Sequence, residues 1–115
     1  MIFDIKKLEY ISYKFIFNMR YSELKFRGKT YTSQSEINSI LTIEKFYWLI
    51  DSEIENAQLE IKNNTIIWHN GSFYTGDWHY GIFKAGNFYG NWVNGVWESG
   101  HFGGKWHSGI NLTQI

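Results

Sequence analysis

The chain contains no cysteine and no proline. The absence of cysteine excludes disulfides and thiolate metal sites and leaves the compartment undetermined. Net charge is absent too, because eleven Lys and Arg balance eleven Asp and Glu. No global field therefore steers the protein toward nucleic acid or an anionic membrane. No apolar run is long enough to span a bilayer. The opening MIFDIKK lacks a signal peptide's order of basic end, apolar stretch and cleavage site. Glycine is nearly missing from the first half, where only Gly28 precedes residue 70. The expectation is a soluble protein with no transmembrane segment, located in a cytoplasm, or in a host cytoplasm or virion if phage-encoded.

What is present argues for a packed fold. Hydrophobic residues make up 43% and aromatics 20% of the 115 residues, which is ample for a core and argues against disorder. The length suits one ordinary domain or two small, mutually dependent parts. Ile, Asn, Lys, Tyr and Phe are abundant. That composition hints at an AT-rich genome, such as many phages and some bacteria have.

Glycine and charge divide the chain in opposite ways. The other ten glycines lie between Gly71 and Gly109, and residues 71–115 carry only Asp77, Lys84, Glu98 and Lys105 as charges. The boundary falls near Asn63-Asn64, giving an N-terminal α/β capping part (1–63) and a repeat part (64–115). Residues 10–19 are rich in Tyr, Phe and Ile and favour a strand. Arg27-Gly28-Lys29 suits a hairpin turn between residues 24–26 and 30–32. Ser33 is placed to cap a helix, with Glu36 as the other half of a capping box. Ile37, Ile40, Leu41, Glu44, Tyr47 and Trp48 follow helical spacing, although residues 46–50 also suit a buried strand. Ala57, Leu59 and Ile61 alternate with Gln58, Glu60 and Lys62, as in a half-buried strand. Asn63-Asn64 then suits a turn into a strand at 66–68.

The repeat unit reads as fourteen residues. Its consensus is aromatic-x-Gly-x-Trp-x-x-Gly-[Ile/Val]-aromatic-x-x-Gly-x, starting at Tyr74, Phe88 and Phe102. Gly76, Gly90 and Gly104, then Trp78, Trp92 and Trp106, then Gly81, Gly95 and Gly109 all recur at one offset, a strong sign of a repeat architecture. In a strand, residues two apart share a face. On that reading Tyr74, Gly76 and Trp78 point the same way, and the glycine leaves room for a ring from the next strand. The later glycines mark reversals where positive φ is useful. The fold class is accordingly mainly β (α+β), a small α/β N-terminal part followed by a stack of short β-hairpins.

Tyr74-x-Gly76-x-Trp78-x-x-Gly81, Phe88-x-Gly90-x-Trp92-x-x-Gly95 and Phe102-x-Gly104-x-Trp106-x-x-Gly109 resemble the core of the MORN repeat. The resemblance covers about residues 66–110. It implies stacked β-hairpins and a role in scaffolding, dimerisation or partner binding, with lipid binding as a further association. The usual MORN unit is longer, a little over twenty residues, and its later Gly-x-Gly is missing here. A second resemblance rests on glycine two residues before an aromatic at mostly five-residue spacing: Gly71/Phe73, Gly76/Trp78, Gly81/Phe83, Gly86/Phe88. This is similar to a pentapeptide-repeat β-helix with bulkier interior residues. Hairpins are the preferred arrangement, and a closed β-helix stays open beside it.

No catalytic arrangement can be named from spacing, so the chain is read as a non-enzyme with no cofactor. His79 and His107 occupy one repeat position where the middle unit has Val93, which suits a surface site better than a metal ligand. Asp77 with His79 is the first pair to test for metal. The function read from the sequence is a protein-interaction or assembly module, such as a phage accessory, virion or host-factor-blocking protein. Its expected partner is a host protein or a second copy, bound through the C-terminal edge at residues 102–115. The candidate binding residues are Tyr80, Tyr89, Trp97, Phe102, Trp106, His107, Ile110 and Leu112. A weaker alternative is nucleic-acid binding through Lys6, Lys7, Lys14, Arg20, Lys25, Arg27 and Lys29. The acidic residues Glu36, Glu44, Asp51, Glu53, Glu55 and Glu60 supply the opposing charge. Another alternative is lipid or carbohydrate binding through the repeat aromatics Tyr80 and Tyr89.

Overall fold

In a computed structural model of the chain, residues 19–113 are described. The strand expected at 10–19 lies almost wholly outside them. The described part begins with an antiparallel pair, β1 (Tyr21–Phe26) and β2 (Lys29–Tyr31), joined by Arg27 and Gly28 at φ 51° and 75°. This is the hairpin that the Arg-Gly-Lys turn predicts.

Helix α1 (Gln34–Ile43) starts where Ser33 caps it, the Ser33 side chain accepting from Glu36 N at 3.3 Å. It buries Ile37 and Leu41. The helical spacing predicted through Trp48 is interrupted, because Lys45 takes φ 68° and the chain turns. A second short helix, α2 (Tyr47–Ile50), follows and buries Leu49. Thus residues 47–50 are helical, with Phe46 preceding them, and 46–50 is not a buried strand.

Two long strands, β3 (Glu53–Lys62) and β4 (Thr65–Thr75), pair antiparallel around Asn63-Asn64, both in positive φ. Ala57, Leu59 and Ile61 are buried, as their alternation predicts. Strand β3 also pairs in parallel with β1.

From β4 onward the chain winds into a coil of two-residue strands. They are β5 (Asp77–Trp78), β6 (Ile82–Phe83), β7 (Asn87–Phe88), β8 (Asn91–Trp92), β9 (Val96–Trp97), β10 (His101–Phe102), β11 (Lys105–Trp106) and β12 (Ile110–Asn111). Every strand pair inside the coil is parallel, and each joins a strand to the one a full turn away. Consecutive short strands do not pair with each other. The mainly β, stacked-repeat class stands, and of the two arrangements the sequence leaves open the register is that of the closed, β-solenoid-like coil. The long β3–β4 hairpin is its foundation.

The register also corrects the repeat's phase. Phe73 pairs with Phe88, fifteen residues on, and Phe88 with Phe102, fourteen residues on. The inward ring of the first turn is therefore Phe73, and Tyr74 points outward, 40% exposed. Inward residues fall at Trp68, Phe73, Trp78, Phe83 and Phe88 in steps of five, then at Trp92, Trp97, Phe102 and Trp106 in steps of four, five, five and four. Each turn is a three-sided loop with one ring per side, and from the second turn on one side is a residue shorter.

The rings form three columns along the coil. Trp68, Phe83 and Trp97 stack with centroids 5.5 and 4.6 Å apart. Phe73, Phe88 and Phe102 stack at 4.8 and 5.5 Å. Trp78, Trp92 and Trp106 stack at 5.2 and 5.3 Å, with rings within 9° of parallel. Within a turn the columns meet edge-on, as Phe83 meets Phe88 at 84°. Offset stacking and edge-to-face contact are the two favoured aromatic geometries. Four buried indole N–H groups, those of Trp48, Trp68, Trp78 and Trp92, find no hydrogen-bond acceptor among the described residues. These tryptophans therefore act as apolar plates.

Glycine is required at the corners mainly by the backbone of the neighbouring turn. At Gly95 (φ 134°) a Cβ would fall 2.7 Å from the Gly81 carbonyl oxygen, one turn away. A ring contributes at Gly90, where a Cβ would meet both Gly76 O and the Phe73 ring at 2.7 Å. The expectation of a gap filled by a ring holds there only in part.

Candidate interaction surfaces

The first part of the chain seats the coil. Arg20 donates from its guanidinium to the carbonyl oxygens of Ser52 (2.6 Å), Leu49 (2.9 Å) and Ile50 (3.2 Å), satisfying the free end of α2. That holds Trp48 edge-on against Trp78, with centroids 4.8 Å apart. At this end the coil is covered, and Trp68, Phe73 and Trp78 are fully buried.

At the other end the columns run out. No strand among the described residues covers β10, β11 or β12. Phe102 is half-buried, Trp106 is 36% exposed, and Ile110 and Leu112 are 58% and 54% exposed. A cavity of about 490 Å³ opens here, lined by Trp97, Phe102, Trp106, Asn111 and Thr113 with two corner glycines. Asn111 lies where the next ring over Trp97 would stand, and its Oδ1 accepts from Thr113 N at 3.0 Å. The backbone is open as well. Lys105 N donates to Gly90 O and His107 N to Trp92 O; the matching carbonyls one turn on, Gly104 and Trp106, meet no further turn among the described residues.

The candidate residues thus divide. Phe102, Trp106, Ile110 and Leu112 gather at the open end. His107 is exposed on the last turn. Trp97 is only 3% exposed, because Phe83 stacks on it and Phe102 packs edge-on, so it belongs to the core rather than to a contact surface. Tyr80 is 42% exposed but packs on Phe46 and Trp48, with centroids 5.9 and 5.7 Å away. Tyr89 is 43% exposed, stacked on Tyr74 at 6.0 Å and beside His101 at 5.6 Å. These two tyrosines have different neighbours and share no contact, which separates the pair on which a lipid or sugar surface would rest.

Of the seven cations in the nucleic-acid alternative, Lys6, Lys7 and Lys14 lie outside the described residues. Arg20 is occupied by the three carbonyls above. Lys25, Arg27 and Lys29 are exposed on the β1–β2 hairpin. The sequence reading misses Lys62, which the β3–β4 turn brings beside them around one cavity.

The histidines are dispersed. His69 Nε2 lies 2.9 Å from Glu60, and His79 packs near Trp48. Asp77 is bound instead by Asn91, whose Nδ2 donates to it at 3.0 Å. Among the described residues no three His, Asp or Glu side chains gather as a metal site, and no helix is long and apolar enough to cross a membrane. No family model, no curated protein and no solved structure matches the chain.

Proposed function

We propose that the protein is a non-catalytic interaction and assembly module that docks through the open end of its coil, with a second copy as the partner. The observation that carries this reading is the change in burial along the columns. Trp78 and Trp92 are fully buried, whereas Trp106, the next ring of the same column, is 36% exposed. A last turn with uncovered strand edges and apolar side chains is a template for strand addition. The composition agrees with a phage or virion setting, where a host factor would be the competing partner.

Lys105 and two exposed histidines, His101 and His107, lie on the last turn, and residues 99–113 hold no carboxylate. Two such ends repel weakly, so self-association should tighten as salt is added, whereas binding to an acidic partner should weaken. Light scattering of the 115-residue chain over a concentration series tests the proposal. The mass should rise from 13.7 kDa toward twice that value. The rise should be lost in Ile110→Lys/Leu112→Lys, changed at exposed positions, with the circular dichroism preserved. A mass that stays monomeric for both proteins at high salt, or a dimer that the double variant leaves intact, overturns the reading.

A further inference from the structure

A cavity of about 520 Å³ lies away from the open coil end. Strands β1 and β3 run parallel, with Phe26 in register with Ile61, so the turns that follow them finish on the same side. These are Arg27-Gly28 and Asn63-Asn64. They bring together Lys25, Arg27, Lys29 and Lys62, cations from two segments more than thirty residues apart in sequence. Glu44 and Glu60 line the cavity too, and Glu60 is already bound to His69 at 2.9 Å. Among the described residues none of the four cations forms an ion pair. Two are seated on rings, Arg27 with its guanidinium 4.8 Å from the Phe26 centroid and Lys29 with its ammonium 5.3 Å from that of Tyr31. The lining's four cations outnumber its two carboxylates, Glu44 and Glu60, and a bound anion offsets the positive charge left over.

We propose that these paired turns bind the phosphates of a single nucleic-acid strand. A guanidinium and three ammonium groups set along two adjacent turns match an extended row of phosphates better than one compact anion. The guanidinium forks onto phosphate oxygens, and its outer face, backed by Phe26, is a surface on which a base can stack. The site differs from the sequence's basic region: it excludes Arg20 and includes Lys62.

The test is fluorescence anisotropy of labelled single-stranded RNA and DNA of increasing length with the 115-residue chain. Affinity should rise with strand length, and its logarithm should fall with log salt at a slope of about −2 to −3 if all four cations meet phosphates. Arg27→Glu/Lys62→Glu should weaken binding about tenfold or more at low salt. Lys84→Glu, a charge reversal on an inner turn of the coil away from its open end, should leave binding nearly unchanged. Matching melting curves would show both variants folded. Absence of binding at low salt, or equal loss in the two variants, overturns the proposal. So does full displacement by inorganic pyrophosphate regardless of strand length, which would assign the turns to a lone phosphate group. Equal binding of polyglutamate would assign them to acidic protein, and also overturns it.

Discussion

The two regions of this molecule hold together by different means. In the α+β part each contact is singular. Gln34 acts as a substitute strand for Tyr21, accepting from its N at 3.0 Å and donating to its O at 2.7 Å. The Tyr21 hydroxyl donates to Asn38, and Arg20 closes α2. The core there is largely aliphatic, with Leu24, Ile37, Leu41, Leu49 and Leu59. In the coil one contact is repeated. Ring lies on ring and glycine on glycine, and backbone N–H groups donate across turns at 2.7–3.0 Å. Side-chain bonds across turns are few, such as Ser108 to Val93 O at 2.6 Å. A substitution in the first region removes a particular partner, whereas one in the coil is felt by the turns on both sides.

This comparison can be broken or sharpened by measurement. Trp92→Ala has the largest expected effect, about 4 kcal/mol, because it opens a column from above and below. Leu41→Ala, a full truncation in the aliphatic core, should cost about 3 kcal/mol. Urea unfolding followed by circular dichroism measures both. Trp92→Phe should cost much less than Trp92→Ala, since the indole N–H has no acceptor to lose.

Next come two glycines given the same substitution. Gly95→Ala should cost about 3 kcal/mol, because its φ is one that side chains rarely adopt and its Cβ would meet Gly81. Gly28→Ala, in a turn with nothing within 4 Å of the added carbon, should cost about 1 kcal/mol. Equal costs would defeat the argument from backbone stacking. Arg20→Ala should remove about 2 kcal/mol by leaving charged hydrogen bonds to the end of α2 unmade. Ser33→Ala should cost about 1 kcal/mol for loss of the α1 cap, as little as Gly28→Ala.

Local chemistry was readable where one residue type decides the backbone. Arg27-Gly28, Ser33 and Asn63-Asn64 all stand where the sequence places them. The repeat was readable as a period but not as a phase. Phe73 and Tyr74 are adjacent aromatics, and periodicity alone does not say which one faces in. The run of five-residue steps from Trp68 to Phe88 held that information. Closure of the coil was hidden because short strands carry the same alternation in a hairpin as in a parallel ladder. At the open end, sequence spacing grouped Trp97 with Phe102 and Trp106, although stacking by Phe83 and Phe102 buries it. Lys62 joined the basic turns only through the parallel pairing of β1 with β3, a long-range contact without a local signature.

The fourteen-residue turn also makes the molecule a ruler. Because every turn after the first repeats the same three sides, duplicating residues 88–101 would add one whole turn, about 4.8 Å of length. The basic turns and the open end would keep their own geometry while the separation between them grew by that fixed step. The spacing of these two ends is thus counted in whole turns, and a lineage can change it without rebuilding either one.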